Sequence, residues 1–241
     1  MYGWRARLGV LVPSGIIATE PEFNRVVPEG VCCHYTRFKF EGGGRTEDIL
    51  KDLKAAGDDI VEVSKLLADA RPAVIAMAGT AVSFIGGYQY DRQLIEKLQA
   101  AHDVPATTTS TSVIDALRAM GIRKVSIAMP YIEEVAKAAV RFVADNGIEV
   151  VEAKWLNKAG FDIPRISEEA VYNLGREVDR PESEALFISC TSLHTLDVIE
   201  KLETDLGKPV ITSNQATIWN LLRLAGIHDK ITGYGRLLSG Y

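Results

Sequence analysis

Cys190 stands at the end of the apolar run Ala185-Leu186-Phe187-Ile188-Ser189 and is followed by two hydroxyl residues, Thr191 and Ser192. An amphipathic helical pattern then runs from about Thr195 to Leu206. This order reads as a buried strand that delivers a thiol to the mouth of a helix N-terminus. Ligands in parallel α/β sheets bind at the carboxyl ends of strands. Helix-start amides bind anions, and the hydroxyls of Thr80 and Thr191 would add donors. Such a cluster suits a carboxylate and would stabilise charge developing on it. A free cysteine also commonly serves as a small buried hydrophobe, and that reading stands beside the functional one.

The stretch Ala73-Val74-Ile75-Ala76-Met77-Ala78-Gly79-Thr80-Ala81 repeats this strand with glycine in the cysteine's place. Tyr131, after Pro130 at another strand end, is placed to donate, or is an ordinary half-buried tyrosine. His194 is either a base or an exposed helix-start histidine. Ile16 and Ile17, directly after the Pro13-Ser14 turn, are core, the apolar wall of a site, or both. Cys32 and Cys33 sit in a strand body and read as structural. Three cysteines, two of them adjacent, make no disulfide framework, which suggests a reducing cytoplasm. With the four histidines scattered, the pattern predicts no metal site.

Strands alternating with helices must position these groups. The first strand, from Arg7 to Val12, is followed by a helix start at Thr19-Glu20-Pro21-Glu22, then by a strand from Val31 to Phe40. The run Glu41-Gly42-Gly43-Gly44-Arg45 lacks the lysine-serine pair of a phosphate loop and reads as a mobile flap. Thr46 then caps one long helix reaching Ala70. Further strands are expected at 73–78, 104–108, 123–129, 148–155, 185–189 and 209–212. Helices are expected at 91–101, 112–120, 132–146, 167–179, 195–206 and 215–225. This alternation predicts parallel sheets with helices on both faces.

The formal charge of −5 and the lack of a basic run argue against a nucleic-acid binder. The longest uncharged stretch, Pro72 to Tyr90, is broken by hydroxyls and glycines, so neither a membrane helix nor a signal peptide is predicted. A soluble cytoplasmic protein is the expectation.

The sequence also repeats itself. Ile95-Glu96-Lys97-Leu98 recurs as Ile199-Glu200-Lys201-Leu202, Pro105 as Pro209, and Ala116-Leu117-Arg118-Ala119-Met120-Gly121-Ile122 as Leu221-Leu222-Arg223-Leu224-Ala225-Gly226-Ile227. The first strand, ending Val12-Pro13-Ser14, matches the one ending Met129-Pro130-Tyr131. Two pseudosymmetric α/β halves follow, one of residues 1–122 plus a returning 210–241, the other of 123–209. Pairing them would set Ser14 against Tyr131, Gly79-Thr80 against Cys190-Thr191, and Thr109 against Ser213, around a cleft that is the natural ligand site.

The segments Val12-Pro13-Ser14, Glu20-Pro21-Glu22-Phe23, Gly79-Thr80 with Ser83-Phe84, Tyr131-Ile132, Ser189-Cys190 with Leu196-Asp197, and Gly233-Tyr234-Gly235-Arg236-Leu237 resemble the maleate cis-trans isomerase and arylmalonate decarboxylase group of the aspartate/glutamate racemase superfamily. The resemblance spans essentially the whole chain. It implies two flavodoxin-like parallel-sheet halves with a cofactor-free active site between them and a small dicarboxylate substrate. Racemases and isomerases of this kind use one cysteine from each half, the second matching Cys190. The first falls at Gly79, as in the decarboxylases, and Ile16 stands where isomerases tend to carry asparagine.

Racemisation normally needs two acid/base groups, whereas decarboxylation of a malonate needs one. The resemblance therefore implies a decarboxylase of 2-substituted malonates whose enediolate is protonated by a neutral Cys190 thiol. It assigns the retained carboxylate to Ser14, Thr80, Tyr131 and the amides near Ala81 and Thr191. Pro13, Ile16, Ile17, Gly79 and Ile163 would form the apolar pocket that favours loss of the other carboxylate. Ala81 replaces a serine of the decarboxylases, and one lost oxyanion donor costs about 3 kcal/mol. An isomerase or racemase of a small dicarboxylate, or a non-catalytic dicarboxylate binder, are the alternatives.

Overall fold

The computed structural model describes residues 2–40 and 46–241. The first half runs β1 (Ala6–Pro13), α1 (Thr19–Val26), β2 (Val31–Phe38), α2 (Thr46–Ala55), α3 (Ile60–Ala68), β3 (Val74–Met77), α4 (Thr80–Phe84), α5 (Tyr90–His102), β4 (Ala106–Thr108) and α6 (Thr109–Ala119). The second runs β5 (Lys124–Met129), α7 (Glu133–Asp145), β6 (Glu149–Trp155), a 3-10 turn (Gly160–Arg165), α8 (Glu168–Val178), β7 (Ala185–Ile188), α9 (Leu196–Leu206), β8 (Val210–Thr212), α10 (Ser213–Leu224) and α11 (Arg236–Gly240).

Two parallel sheets result, ordered β2-β1-β3-β4 and β6-β5-β7-β8. The central strands β3 and β7 are buried along their whole length, as expected where helices cover both faces. The two halves repeat down to single hydrogen bonds. Pro105 accepts from Ile75 N–H, and Pro209 from Leu186 N–H, each at 3.0 Å. Thr108 caps α6 and Thr212 caps α10, their hydroxyls accepting from Thr111 N–H and Gln215 N–H. The α/β fold with two parallel-sheet halves is as the sequence predicts.

Two expectations need correction. β8 pairs with β7, Thr212 beside Ile188, so the boundary at 210 is misplaced. The apolar Val210-Ile211 completes the open edge of the second sheet, and only then does α10 turn back to pack on α6, α1 and β3 of the first half. The single helix from Thr46 to Ala70 is two helices, α2 and α3. Between them, a Cβ on Gly57 would lie 2.1 Å from the Tyr90 hydroxyl, so the Tyr90 side chain packs against bare glycine backbone at the break. Neither α4, where only a glycine-rich loop at 83–88 was expected, nor α11 was foreseen. Thr46, expected as the cap, is the first residue of α2, and the flap at 41–45 lies outside the described residues. Among the described residues no helix is long and apolar enough to cross a membrane.

Candidate active site

The carboxyl ends of β1, β3, β5 and β7 converge on one cavity of about 550 Å³, its open mouth included. Pro13, Ile16, Gly79, Thr80, Ala81, Tyr131, Ile163, Cys190 and Thr191 all line it. The fold thus brings together nine of the eleven residues that the sequence nominated.

Ser14 and Ile17 are not among the lining residues. The Ser14 hydroxyl is held at the Phe40 backbone, accepting its N–H at 3.1 Å, and the Ile17 side chain is exposed. The turn is pinned by Arg37 on β2, whose guanidinium donates to the carbonyls of Ser14 and Ile16, both at 2.9 Å, and bridges to Glu20. This arrangement turns Ile16 inward and its neighbours out. Ser14 therefore does not share the cavity with Tyr131. His194, the candidate base, does not line the cavity either.

Cys190 has φ +116°, a conformation rare for a side-chain-bearing residue that costs about 1–3 kcal/mol and persists only when its surroundings impose it. Cys190 N–H donates to Ser213 Oγ at 2.9 Å, and Ser192 N–H donates to Cys190 Sγ at 3.4 Å. Burial pushes the thiol pKa up, and the Ser192 amide and the Tyr131 hydroxyl only partly oppose this. The thiol is thus neutral near pH 7. Tyr131 meets Ser189 Oγ at 3.2 Å; burial, and then the adjacent Cys190, hold its phenol well above the usual range, so it remains a donor.

The opposite wall is built differently. Gly79 has extended backbone, and α4 starts immediately after it. The first amides of a helix lack intrahelical partners, so those of Thr80 and Ala81 are available at the cavity wall. Thr80 Oγ1 donates to Ser213 Oγ at 3.0 Å, the same oxygen that holds Cys190 N–H. One serine of α10 therefore ties the two strand ends together.

The helix after Cys190 does not offer its start to a ligand. α9 begins only at Leu196, and its first amides are already occupied: Thr195 N–H and Leu196 N–H donate to Glu22 Oε1 at 2.6 and 3.1 Å. Burial raises the Glu22 pKa, opposed by these two amides and by Asn214.

Sequence reasoning missed Phe40, Ile49, Leu53, Val82, Ile132, Val135, Ala159 and Gly160 as lining, and Lys158, the only charged side chain among the described lining residues. Ile49 and Leu53, four residues apart, share one buried face of α2, but no local signal shows that this face meets a ligand cavity. Ser192 lines the cavity as well. Cys32 and Cys33 lie on the edge strand β2, and burial raises Cys33 to about 12.

The model of the family described as arylmalonate decarboxylase matches residues 8–238. An arylmalonate decarboxylase of Bordetella bronchiseptica is 33% identical over 186 residues, 76% of this chain and 78% of that one. A maleate isomerase of Pseudomonas putida is 26% identical, covering 97% of each chain. Among solved structures, a glycine-to-cysteine, cysteine-to-serine double mutant of arylmalonate decarboxylase in liganded form superposes with TM-score 0.88 at 27% identity, over 96% of this chain and 98% of that one. A cysteine-to-alanine variant of the maleate isomerase Iso of Pseudomonas putida S16, with maleate, gives TM-score 0.91 at 24% identity, over 98% of each.

Proposed function

The chain belongs to the arylmalonate decarboxylase family, and from that premise we propose that it is a cofactor-independent carboxy-lyase acting on 2-substituted malonates. One observation carries this reading: a buried, neutral Cys190 thiol shares its cavity with Gly79, which has no side chain to match it. The position matching Cys190 in the first half therefore offers no side chain to carry a proton.

The retained carboxylate would rest on the Thr80 and Ala81 amides, the Tyr131 phenol and the Thr80 hydroxyl, whose single proton would turn from Ser213 to the ligand. The departing carboxylate would lie against Pro13, Ile16 and Ile163, where poor solvation favours its loss. The C–C bond breaks, carbon dioxide leaves without the bonding pair, and that pair remains on the substrate as an enediolate held by these donors. The Cys190 S–H bond then breaks toward the α-carbon, giving a monocarboxylic acid and a thiolate that solvent reprotonates. Isomerisation of a dicarboxylate by a cysteine pair would need a second thiol, and Gly79 supplies none.

The test is a screen of aryl, alkenyl and alkyl malonates for carbon dioxide release, with Cys190→Ala alongside. Wild type should decarboxylate at least one class. Cys190→Ala should lose about 10³-fold in kcat or more while still binding the ligand, since the proton donor alone is removed. Maleate-to-fumarate conversion without gas release would reverse the reading in favour of an isomerase. No turnover, with ligand affinity intact in both proteins, would leave a binding protein.

A further inference from the structure

Glu22 is a buried carboxylate that the proposed reaction does not use, and it belongs to the opposite half from the thiol. Its Oε1 accepts from Thr195 N–H and Leu196 N–H, and its Oε2 accepts from Asn214 Nδ2 at 2.7 Å. The same Asn214 Nδ2 donates to the Thr191 carbonyl at 3.2 Å. Thr19, also on α1, donates from Oγ1 toward that carbonyl at 3.3 Å and toward Asn214 Oδ1 at 3.1 Å. The segment 190–196 is thus fixed at three points: Cys190 N–H by Ser213, the Thr191 carbonyl by Asn214 and Thr19, and the start of α9 by Glu22.

We infer that α1 of the first half positions the thiol of the second, with Glu22 as the central positioning residue acting through Asn214 and Thr191. Cys190 occupies a strained backbone conformation that persists only when its surroundings impose it, and the bonds within its own segment, Ser192 N–H to Cys190 Sγ and Leu193 N–H to the Cys190 carbonyl, are long, at 3.4 Å each. Only a carboxylate satisfies this cluster, because every neighbour of its two oxygens is a donor. An amide in its place would turn a second NH2 toward Asn214. Asn214 would have to flip, and its N–H to Thr191 would be lost. The pair Arg25–Asp197 also joins α1 to α9, but it is half exposed and touches nothing in the thiol loop.

The positioning concerns the loop whichever reaction the thiol serves; its effect on turnover rests on the decarboxylase reading. The experiment measures iodoacetamide labelling of Cys190 and Cys33 by peptide mass in the full chain, for wild type, Glu22→Gln, Thr19→Val and Arg25→Ala. Glu22→Gln should release the loop and speed Cys190 labelling about tenfold, the scale of a lost charge-assisted hydrogen bond, with Cys33 changed less than about twofold. Thr19→Val should act in the same direction more weakly, and Arg25→Ala should change neither rate. On a malonate that wild type decarboxylates, kcat should fall about tenfold with KM within about twofold.

An unchanged Cys190 rate overturns the inference, and so does an equal rise at Cys33, which would mean general loosening. Unchanged kcat also overturns it. If wild type decarboxylates nothing, the labelling decides alone; if Glu22→Gln does not fold, Thr19→Val is judged by the same criteria.

Discussion

The ends of β3 and β7 hold equivalent places in their sheets, yet they do opposite work. After β3 the chain passes through Gly79 in ordinary extended geometry and enters α4 at once, so helix amides and the Thr80 hydroxyl reach the cavity. After β7 it passes through Cys190 at φ +116°, and α9 is delayed to Leu196, where Glu22 blocks its start. One strand end opens directly into a helix start at the cavity, and the other mounts a thiol beside it. Duplicated topology supplies two sites at matching positions, and the local exit from the strand decides what each can do.

The largest test of this contrast abolishes it. A Cβ at Gly79 would meet Pro13 at 3.4 Å and Phe38 and Val82 at 3.6 Å, ordinary contacts without backbone strain. Gly79→Cys should therefore fold and place a second thiol across from Cys190. In deuterated buffer it should exchange the α-proton of 2-aryl acids and racemise them, an activity at least about 10²-fold above wild type if a second acid/base group acts. Unaltered exchange in a folded Gly79→Cys would mean that the two positions do not flank one α-carbon.

Weakening the helix-start side comes next. Thr80→Val removes a donor to the developing enediolate and the link to Ser213, and should lower kcat about 10²-fold, the scale of one oxyanion-hole donor. A loss confined to KM would show instead that Thr80 binds substrate and product alike.

The smallest effect sharpens the thiol mount. Because burial raises the Cys190 pKa above its ordinary value of 9.0, the donor is lost only as pH rises through that raised value. The alkaline fall in kcat/KM should therefore lie above pH 9. The Tyr131 hydroxyl lowers the thiol pKa, so Tyr131→Phe should move this limb up, not down. A limb below the ordinary thiol range would contradict a neutral donor.

Much of the scaffold was legible in the sequence. The apolar runs at 74–77 and 185–188 could only be buried strands, and the recurrence of Ile-Glu-Lys-Leu, proline and the Gly-Ile helix stop announced two matching halves. The candidate thiol and its glycine counterpart were legible for the same reason, since strand ends are fixed by local patterning. The assignment of β8 was not, because edge pairing depends on which sheet has an open side. The single long helix also failed, since nothing in residues 46–70 reveals the approach of Tyr90 to Gly57.

By itself, the sequence determined the identity and order of the strand ends, because those follow from hydrophobic period and turn chemistry over a few residues. Only the tertiary structure decided that Ile16 faces the cavity while Ser14 and Ile17 do not, that Ile49, Leu53 and Lys158 join the lining, and that Glu22 seals the helix start. These are contacts between residues far apart in the chain, such as the 173 positions separating Glu22 from Thr195. Hydrogen-bond and packing partners at such separations are selected by how whole elements dock, which no local window of sequence encodes.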